Sequence, residues 1–217
     1  MFFRLVILKF RYIVFLNLFN KISSNTMKKL IVLSSPSGGG KSTVARFLLK
    51  NFDLLRFSVS ATTRKKRPRE LHGREYYFME RDEFESKIGT GEFVEHEEIY
   101  GNYYGTLRTE IDKTFKVGKC LLFDIDVKGA LSLQKEFPED AVLIFITPPS
   151  LMKLELRLRK RQTETDEQIN KRLERAEMEI KQKEKFDHVI INDELEDTLV
   201  KVKEVVSQYL PVTEIAE

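Results

Sequence analysis

The run Ser35-Pro36-Ser37-Gly38-Gly39-Gly40-Lys41-Ser42 lies between the apolar stretch Leu30-Ile31-Val32-Leu33 and the helix-like stretch Thr43-Val44-Ala45-Arg46-Phe47-Leu48-Leu49. Strand, glycine-rich turn and helix start, in that order, are the setting in which G-x-x-x-x-G-K-[ST] binds phosphate. Glycines let successive backbone N–H groups point inward at a polyphosphate. The helix N-terminus adds partial positive charge, and Lys41 can reach the terminal phosphates. Ser42 offers a hydroxyl to Mg²⁺. Ser35 stands where the motif has its first glycine, so a residue with a Cβ must reach the turn conformation.

Three further clusters extend this chemistry. Arg64-Lys65-Lys66-Arg67-Pro68-Arg69 follows a strand-like stretch at residues 54–60, and open α/β sheets place ligands at the C-terminal ends of strands. It is either a loop held by an anion or a solvated charge cluster. Asp124-Ile125-Asp126 ends the apolar run Cys120-Leu121-Leu122-Phe123, where acids suit Mg²⁺ or a donor on a substrate. Arg157-Leu158-Arg159-Lys160-Arg161 leads into a connection between two helical patterns, which is either a lid over phosphates or a charged helical hairpin. No Ser-His or Cys-His pairing for nucleophilic catalysis stands out, and the three histidines, at 72, 96 and 188, lack metal-ligand spacing.

The elements that position these groups alternate in type. Residues 30–33, 54–60, 119–125, 141–146 and 188–191 read as strands, and residues 42–51, 127–136, 151–160 and 165–180 as helices. Thr165 with Gln168 forms a capping box, and Asn192-Asp193 with Glu196 reads as another before the last helix. βα alternation of this kind builds an α/β domain around a mostly parallel sheet. Residues 61–106 change character, with Tyr76, Tyr77, Tyr103 and Tyr104 among acids and a turn at Gly101-Asn102, and read as a small inserted lobe.

An apolar fraction of 41% with 33% charged residues describes a folded globular chain. The single cysteine, Cys120, sits in an apolar run as a core residue and permits no disulfide within the chain. Net charge is +3, but residues 1–26 carry four cations and no acid, leaving −1 over the rest, too balanced for a nucleic-acid surface. Arg4, Lys9 and Arg11 break up that N-terminal segment, and a membrane-spanning helix needs about 20 mostly apolar residues. A targeting peptide or basic amphipathic helix stays open for residues 1–26. The expectation is that Met27, followed by Lys28-Lys29 and the first strand, is the start and that residues 1–26 are upstream read-through.

With these pieces in order, residues 29–210 resemble guanylate kinases. The resemblance rests on Ser58-Val59-Ser60-Ala61-Thr62-Thr63-Arg64, Gly91-Glu92-Phe93-Val94-Glu95, Gly101-Asn102-Tyr103-Tyr104-Gly105, Asp124-Ile125-Asp126-Val127-Lys128-Gly129-Ala130 and Val189-Ile190-Ile191-Asn192-Asp193. It implies a P-loop kinase fold whose core is 27–60, 107–150 and 187–217, with a GMP-binding lobe at 61–106 and a helical lid at 151–186. The implied reaction moves the γ-phosphoryl of ATP to GMP, and to dGMP, with Mg²⁺, in a cytoplasmic monomer or homodimer without nucleic-acid or membrane partners.

By motif position, Arg64, Arg67, Tyr76 and Tyr104 would bind the GMP phosphate, and Ser60, Glu95, Thr106 and Asp126 the guanine. ATP would lie on Ser35, Pro36, Ser37, Gly38, Gly39, Gly40, Lys41, Ser42 and Thr43, with Asn192 and Asp193 near its adenine. Catalysis would fall to Lys41, Arg64, Arg161 and Arg172, with Mg²⁺ on Ser42 and Asp124 or Asp126 nearby. Ser35 and Gln162 replace family glycines, and neither change removes a group that the chemistry requires. Two other classes share the pattern: non-catalytic guanylate-kinase-like binding modules, with degraded loops, and P-loop kinases with another acceptor. Lys41, Ser42, Arg161 and Asp126 speak against the first, and Glu95 and Thr106 against the second.

Overall fold

The computed structural model describes residues 28–160 and 165–210. The expectations for residues 1–26 and for Arg161 and Gln162 lie outside them.

Five parallel strands form the central sheet in the order β2-β7-β1-β8-β9: β1 (Leu30–Ser34), β2 (Leu55–Phe57), β7 (Cys120–Asp124), β8 (Ala141–Thr147) and β9 (His188–Ile191). β1 and β8 are buried along their whole length, as expected for parallel strands covered on both faces. Alternation along β1 splits the core in two. Ile31 and Leu33 pack with Val44, Leu48, Val202 and Val206 of helices α1 (Lys41–Asn51) and α7 (Leu195–Ser207). Leu30 and Val32 face Ile111 of α3 (Arg108–Lys116) and Ala130 and Leu133 of α4 (Val127–Glu136). Helices α5 (Leu151–Lys160) and α6 (Asp166–Ile180) form a pair with its own small core of Leu154, Leu158, Ile169 and Ala176.

A second sheet, ordered β4-β3-β6-β5, consists of β3 (Ala61–Thr62), β4 (Tyr77–Phe78), β5 (Phe93–Ile99) and β6 (Asn102–Leu107), with α2 (Arg81–Gly89) against one face. Phe84 of α2 stacks on Phe93 and Tyr103, with ring centroids 4.2 and 5.2 Å apart.

Two sequence expectations need correction, and one helix was not foreseen. Of the strand read over 54–60, only Leu55–Phe57 forms, as β2; residues 58–60 are irregular and lead into β3 of the second sheet. β2 ends at Phe57, Ser58 still donates its N–H to Leu122 O, and Ala61 then pairs with Gly105. α3 was not anticipated, because Ile111 and Phe115 alone mark its apolar stripe. Asn192 and Asp193 do not cap α7: Glu194 holds the cap position without a side-chain bond, and the Asn192 side chain is engaged elsewhere. By contrast, both halves of the Thr165–Gln168 capping box form at the start of α6.

Candidate active site

The glycine-rich turn leaves β1 and enters α1 at the carboxyl edge of the sheet, with Leu33 in register with Asp124 of β7. Gly38 and Gly40 have φ of 92° and 101°, conformations that cost an L side chain dearly. Ser35 is not in that region, since Tyr100 is the one non-glycine residue with positive φ among the described residues. Its Cβ therefore fits without strain. Its hydroxyl donates to Pro36 O at 3.0 Å and tucks beneath Gly39, where a Cβ would stand 2.7 Å from Ser35 Oγ.

Lys41 Nζ donates to Ser35 O at 3.2 Å and lies 3.7 Å from Asp124 Oδ1, while Ser42 Oγ donates to Asp124 Oδ2 at 3.1 Å. Asn192 braces the turn from behind: Nδ2 donates to Gly39 O at 2.8 Å, and Oδ1 accepts from Thr198 Oγ1 at 3.0 Å. A cavity of about 590 Å³ opens over the turn, lined by Ser35, Ser37, Gly38, Gly39, Gly40, Lys41, Ser42 and Thr43.

The opposite wall comes from the β5–β6 hairpin. Phe93 pairs with Leu107 but Glu95 with Thr106, so Val94 is an extra residue in β5. Regular alternation would put Phe93 and Glu95 on one face. The bulge sends Phe93 to the aromatic core and Glu95, with Thr106, Glu97 and Tyr104, to the other face. Thr106 Oγ1 donates to Glu95 Oε1 at 2.7 Å, and the Gly129 backbone closes over the carboxylate, leaving no room for a Cβ. Glu95 is 7% exposed, and that burial pushes its carboxyl up from 4.5 to about 7 despite the Thr106 bond.

A cavity of about 420 Å³ joins the two walls. Ser60, Arg67, Tyr76, Glu95, Tyr104, Asp126 and Arg172 line it together with Ser35, Ser37, Lys41 and Asp124. Tyr76 and Tyr104 meet edge-on at 6.0 Å, and burial raises the Tyr76 hydroxyl above its usual range. Arg64 lies against the Tyr76 ring at 5.3 Å and is gripped by Glu70 through bonds of 3.0 and 2.8 Å, which holds its pKa up. One Asp126 oxygen caps α4, accepting from Lys128 N and Gly129 N at 2.8 and 3.1 Å.

A family model described as guanylate kinase matches residues 27–209. The chain belongs to the guanylate kinase family. A guanylate kinase of Chlorobaculum tepidum is 48% identical over 183 residues, covering 84% of this chain and 94% of that protein. One of Porphyromonas gingivalis is 45% identical over 186 residues, covering 85% and 99%. The crystal structure of guanylate kinase from Anaplasma phagocytophilum superposes with a TM-score of 0.68 at 35% identity, over 86% of this chain and 88% of that one.

Against the guanylate kinase expectations, the loop residues other than Pro36 gather at one cavity and most acceptor residues at the other, while Arg64 and Thr106 line neither. Asn192 and Asp193 stand apart: both ends of the Asn192 amide are used inside the protein, and Asp193 is paired with Lys153 at 3.2 Å. Sequence reasoning missed Glu70, Glu97, Arg175 and Glu179. Glu97 was legible as the residue two beyond Glu95 on the same strand face. Arg175 lies one helical turn beyond Arg172, with Glu179 four residues later, a spacing that puts all three side chains along one stripe of α6.

Proposed function

We propose that this chain transfers the γ-phosphoryl of ATP to GMP, giving ADP and GDP, with ATP on the glycine-rich turn and GMP between that turn and Glu95. One observation carries the reading. The two cavities share Ser35, Ser37, Lys41, Ser60, Tyr76 and Asp124, so a donor's terminal phosphate and an acceptor's phosphate would meet at Lys41.

The acceptor needs no general base, because a phosphate monoester with a second pKa of about 6 is mostly dianionic at neutral pH. What the protein must supply is position and compensating charge. Lys41 provides charge beside the transferring group. Tyr76 and Tyr104 donate hydroxyls to the acceptor phosphate without adding charge, and Arg67 and Arg64 add it. Of the five N–H donors on Arg64, two go to Glu70 and one to Lys65 O, which leaves two for phosphate. Guanine offers N–H donors at N1 and N2 where adenine offers an acceptor and no amino group, so a buried carboxylate at Glu95 selects guanine. Arg172, at the acceptor cavity, and Arg161, in the connection between α5 and α6, would add charge to the transferring group.

Ser42 and Asp124 fit Mg²⁺: a hydroxyl and a carboxylate at the end of a strand are hard oxygen donors, suited to a metal held mainly by phosphates. Bound there, Mg²⁺ would neutralise charge on the ATP phosphates. ATP and GMP as substrates support a cytoplasmic setting, and no helix among the described residues is long and apolar enough to cross a membrane.

The test is a coupled assay of ADP release with GMP, dGMP, AMP, UMP and CMP as acceptors. Turnover with GMP and dGMP is expected, with AMP, UMP and CMP at background. ADP release independent of GMP would end the reading.

A further inference from the structure

Beyond the acceptor cavity, a second hollow of about 620 Å³ lies between β5, α4 and α6. Three side chains line both, Asp126, Arg175 and Glu179, and Glu97 lines the hollow beside them. They form the wall between the hollow and the proposed guanine position. Arg175 and Glu179 come from α6, Glu97 from the hairpin, and Asp126 from the end of β7, so three separately built parts of the fold meet there.

The bonding in this wall is incomplete. Arg175 Nε donates to Glu179 Oε1 at 2.8 Å, one turn along the same helix, which fixes the guanidinium plane. Its Nη2 then faces Glu97 Oε2 across the gap at 3.6 Å, an ion pair but too long for a hydrogen bond. Lys128 of α4 takes the other Glu97 oxygen at 3.2 Å. Glu97 Oε2 and Glu179 Oε2 are both buried and accept no hydrogen bond. Buried polar atoms are nearly always satisfied, and Glu97, whose carboxyl is pushed up by burial and by the neighbouring Asp126, turns Oε2 to the guanidinium across that gap, a contact left open in this state. An approach of under 1 Å between α6 and β5 would bring Nη2 within hydrogen-bond distance of Glu97.

We propose that Arg175 is a positioning residue for the acceptor nucleotide. By closing on Glu97 when GMP fills the cavity, it clamps the hairpin face that carries Glu95 to α6. The proposal rests on the guanylate kinase reading, since the clamp is defined by the GMP position. Arg175 touches neither reacting atom; it acts through Glu97 and the strand that Glu97 shares with Glu95. Glu95 and Asp126 add negative charge to this wall and Lys128 and Arg175 the compensating positive charge, which is why loss of Arg175 leaves the wall both open and self-repelling.

Steady-state kinetics with varied GMP and varied ATP test this on the full-length wild type, Arg175→Met, Arg175→Lys, Glu97→Met and the double variant Arg175→Met/Glu97→Met. Arg175→Met is expected to raise the GMP KM roughly tenfold, with kcat and the ATP KM within about twofold of wild type. Arg175→Lys should recover most of the loss. Glu97→Met should resemble Arg175→Met, and the double variant should be no worse than either single one, because both remove the same contact. An unchanged GMP KM in Arg175→Met overturns the proposal, and so do equal losses in kcat and both KM values, or single effects that multiply in the double variant. If Arg175→Met does not fold, Glu97→Met and Arg175→Lys decide by the same KM split. A wild type without GMP-dependent turnover would instead overturn the guanylate kinase reading beneath it.

Discussion

Replacing Glu95 by glutamine should make the protein more stable and a much poorer kinase for GMP, and the two effects have one origin. In the folded protein the Glu95 carboxyl is pushed from 4.5 to about 7 by burial. At ~1.36 kcal/mol per pH unit, holding it ionised above pH 7 costs roughly 3 kcal/mol of folding stability. The folded pKa lies above the unfolded one, so this cost is fully present above pH 7, declines through the interval and vanishes below about 4.5. Glutamine keeps an oxygen to accept from Thr106 Oγ1 and carries no charge to desolvate. With a shift of about 2–4 °C per kcal/mol for a chain of this size, Glu95→Gln should melt several degrees above wild type at pH 8, with the difference shrinking toward pH 5. The same change places an NH₂ donor against guanine's N–H donors. Losing hydrogen bonds to a charged group worth about 1.5–3 kcal/mol each should lower kcat/KM for GMP by at least roughly 10²-fold, with the ATP KM within about twofold. Thermal melts at both pH values and the coupled ADP assay read these outcomes. A lower melting temperature at pH 8, or equal losses for GMP and ATP, would refute the reasoning.

Three further outcomes follow from the geometry. Lys41→Ala should lower kcat by at least roughly 10²-fold with the melting temperature close to wild type, as measured by turnover and thermal melting; near-normal turnover would remove Lys41 from its role. Asn192→Ala strips the bond to Gly39 O and one of the two acceptors beside the Thr198 hydroxyl, which keeps Glu194 O, so a loss of about 1–3 kcal/mol should accompany a raised ATP KM. An unchanged ATP KM would show that the turn holds its shape alone. Glu70→Ala frees the Arg64 guanidinium and should raise the GMP KM roughly tenfold in titrations of initial rate; no change would mean that the phosphate orients Arg64 by itself.

The parts of the fold that were legible in sequence are those where one local rule decides. The glycine turn, the Thr165–Gln168 box and the continuous apolar run of β8 each announce themselves within a few residues. Features that depend on two distant segments did not. Ser58-Val59-Ser60 carries strand-like alternation, yet the sheet to which Ala61 belongs is set by Gly105, more than forty residues on. Asn192 has the composition of a helix cap, and its side chain instead serves Gly39 in the turn after β1, more than 150 residues away in sequence. Among the site residues, Glu95 could be assigned from its motif, but its burial against Gly129 could not be read from the residues around it. Glu70 was passed over because an acid after a basic run looks like charge balance, and its grip on both ends of one guanidinium exists only in three dimensions.

The extra residue at Val94 makes the hairpin a shared ruler for two requirements that mutation cannot adjust separately. Loss of a single residue there would move every side chain beyond it to the opposite face. Glu95 and Glu97 would then be driven toward Phe84 and Tyr103, and His96 and Glu98 turned toward the nucleotide. Such a chain would forfeit the lobe's aromatic core and its base selectivity in one step, so insertions and deletions between Phe93 and Glu95 should be far rarer among working relatives than substitutions at Val94 itself.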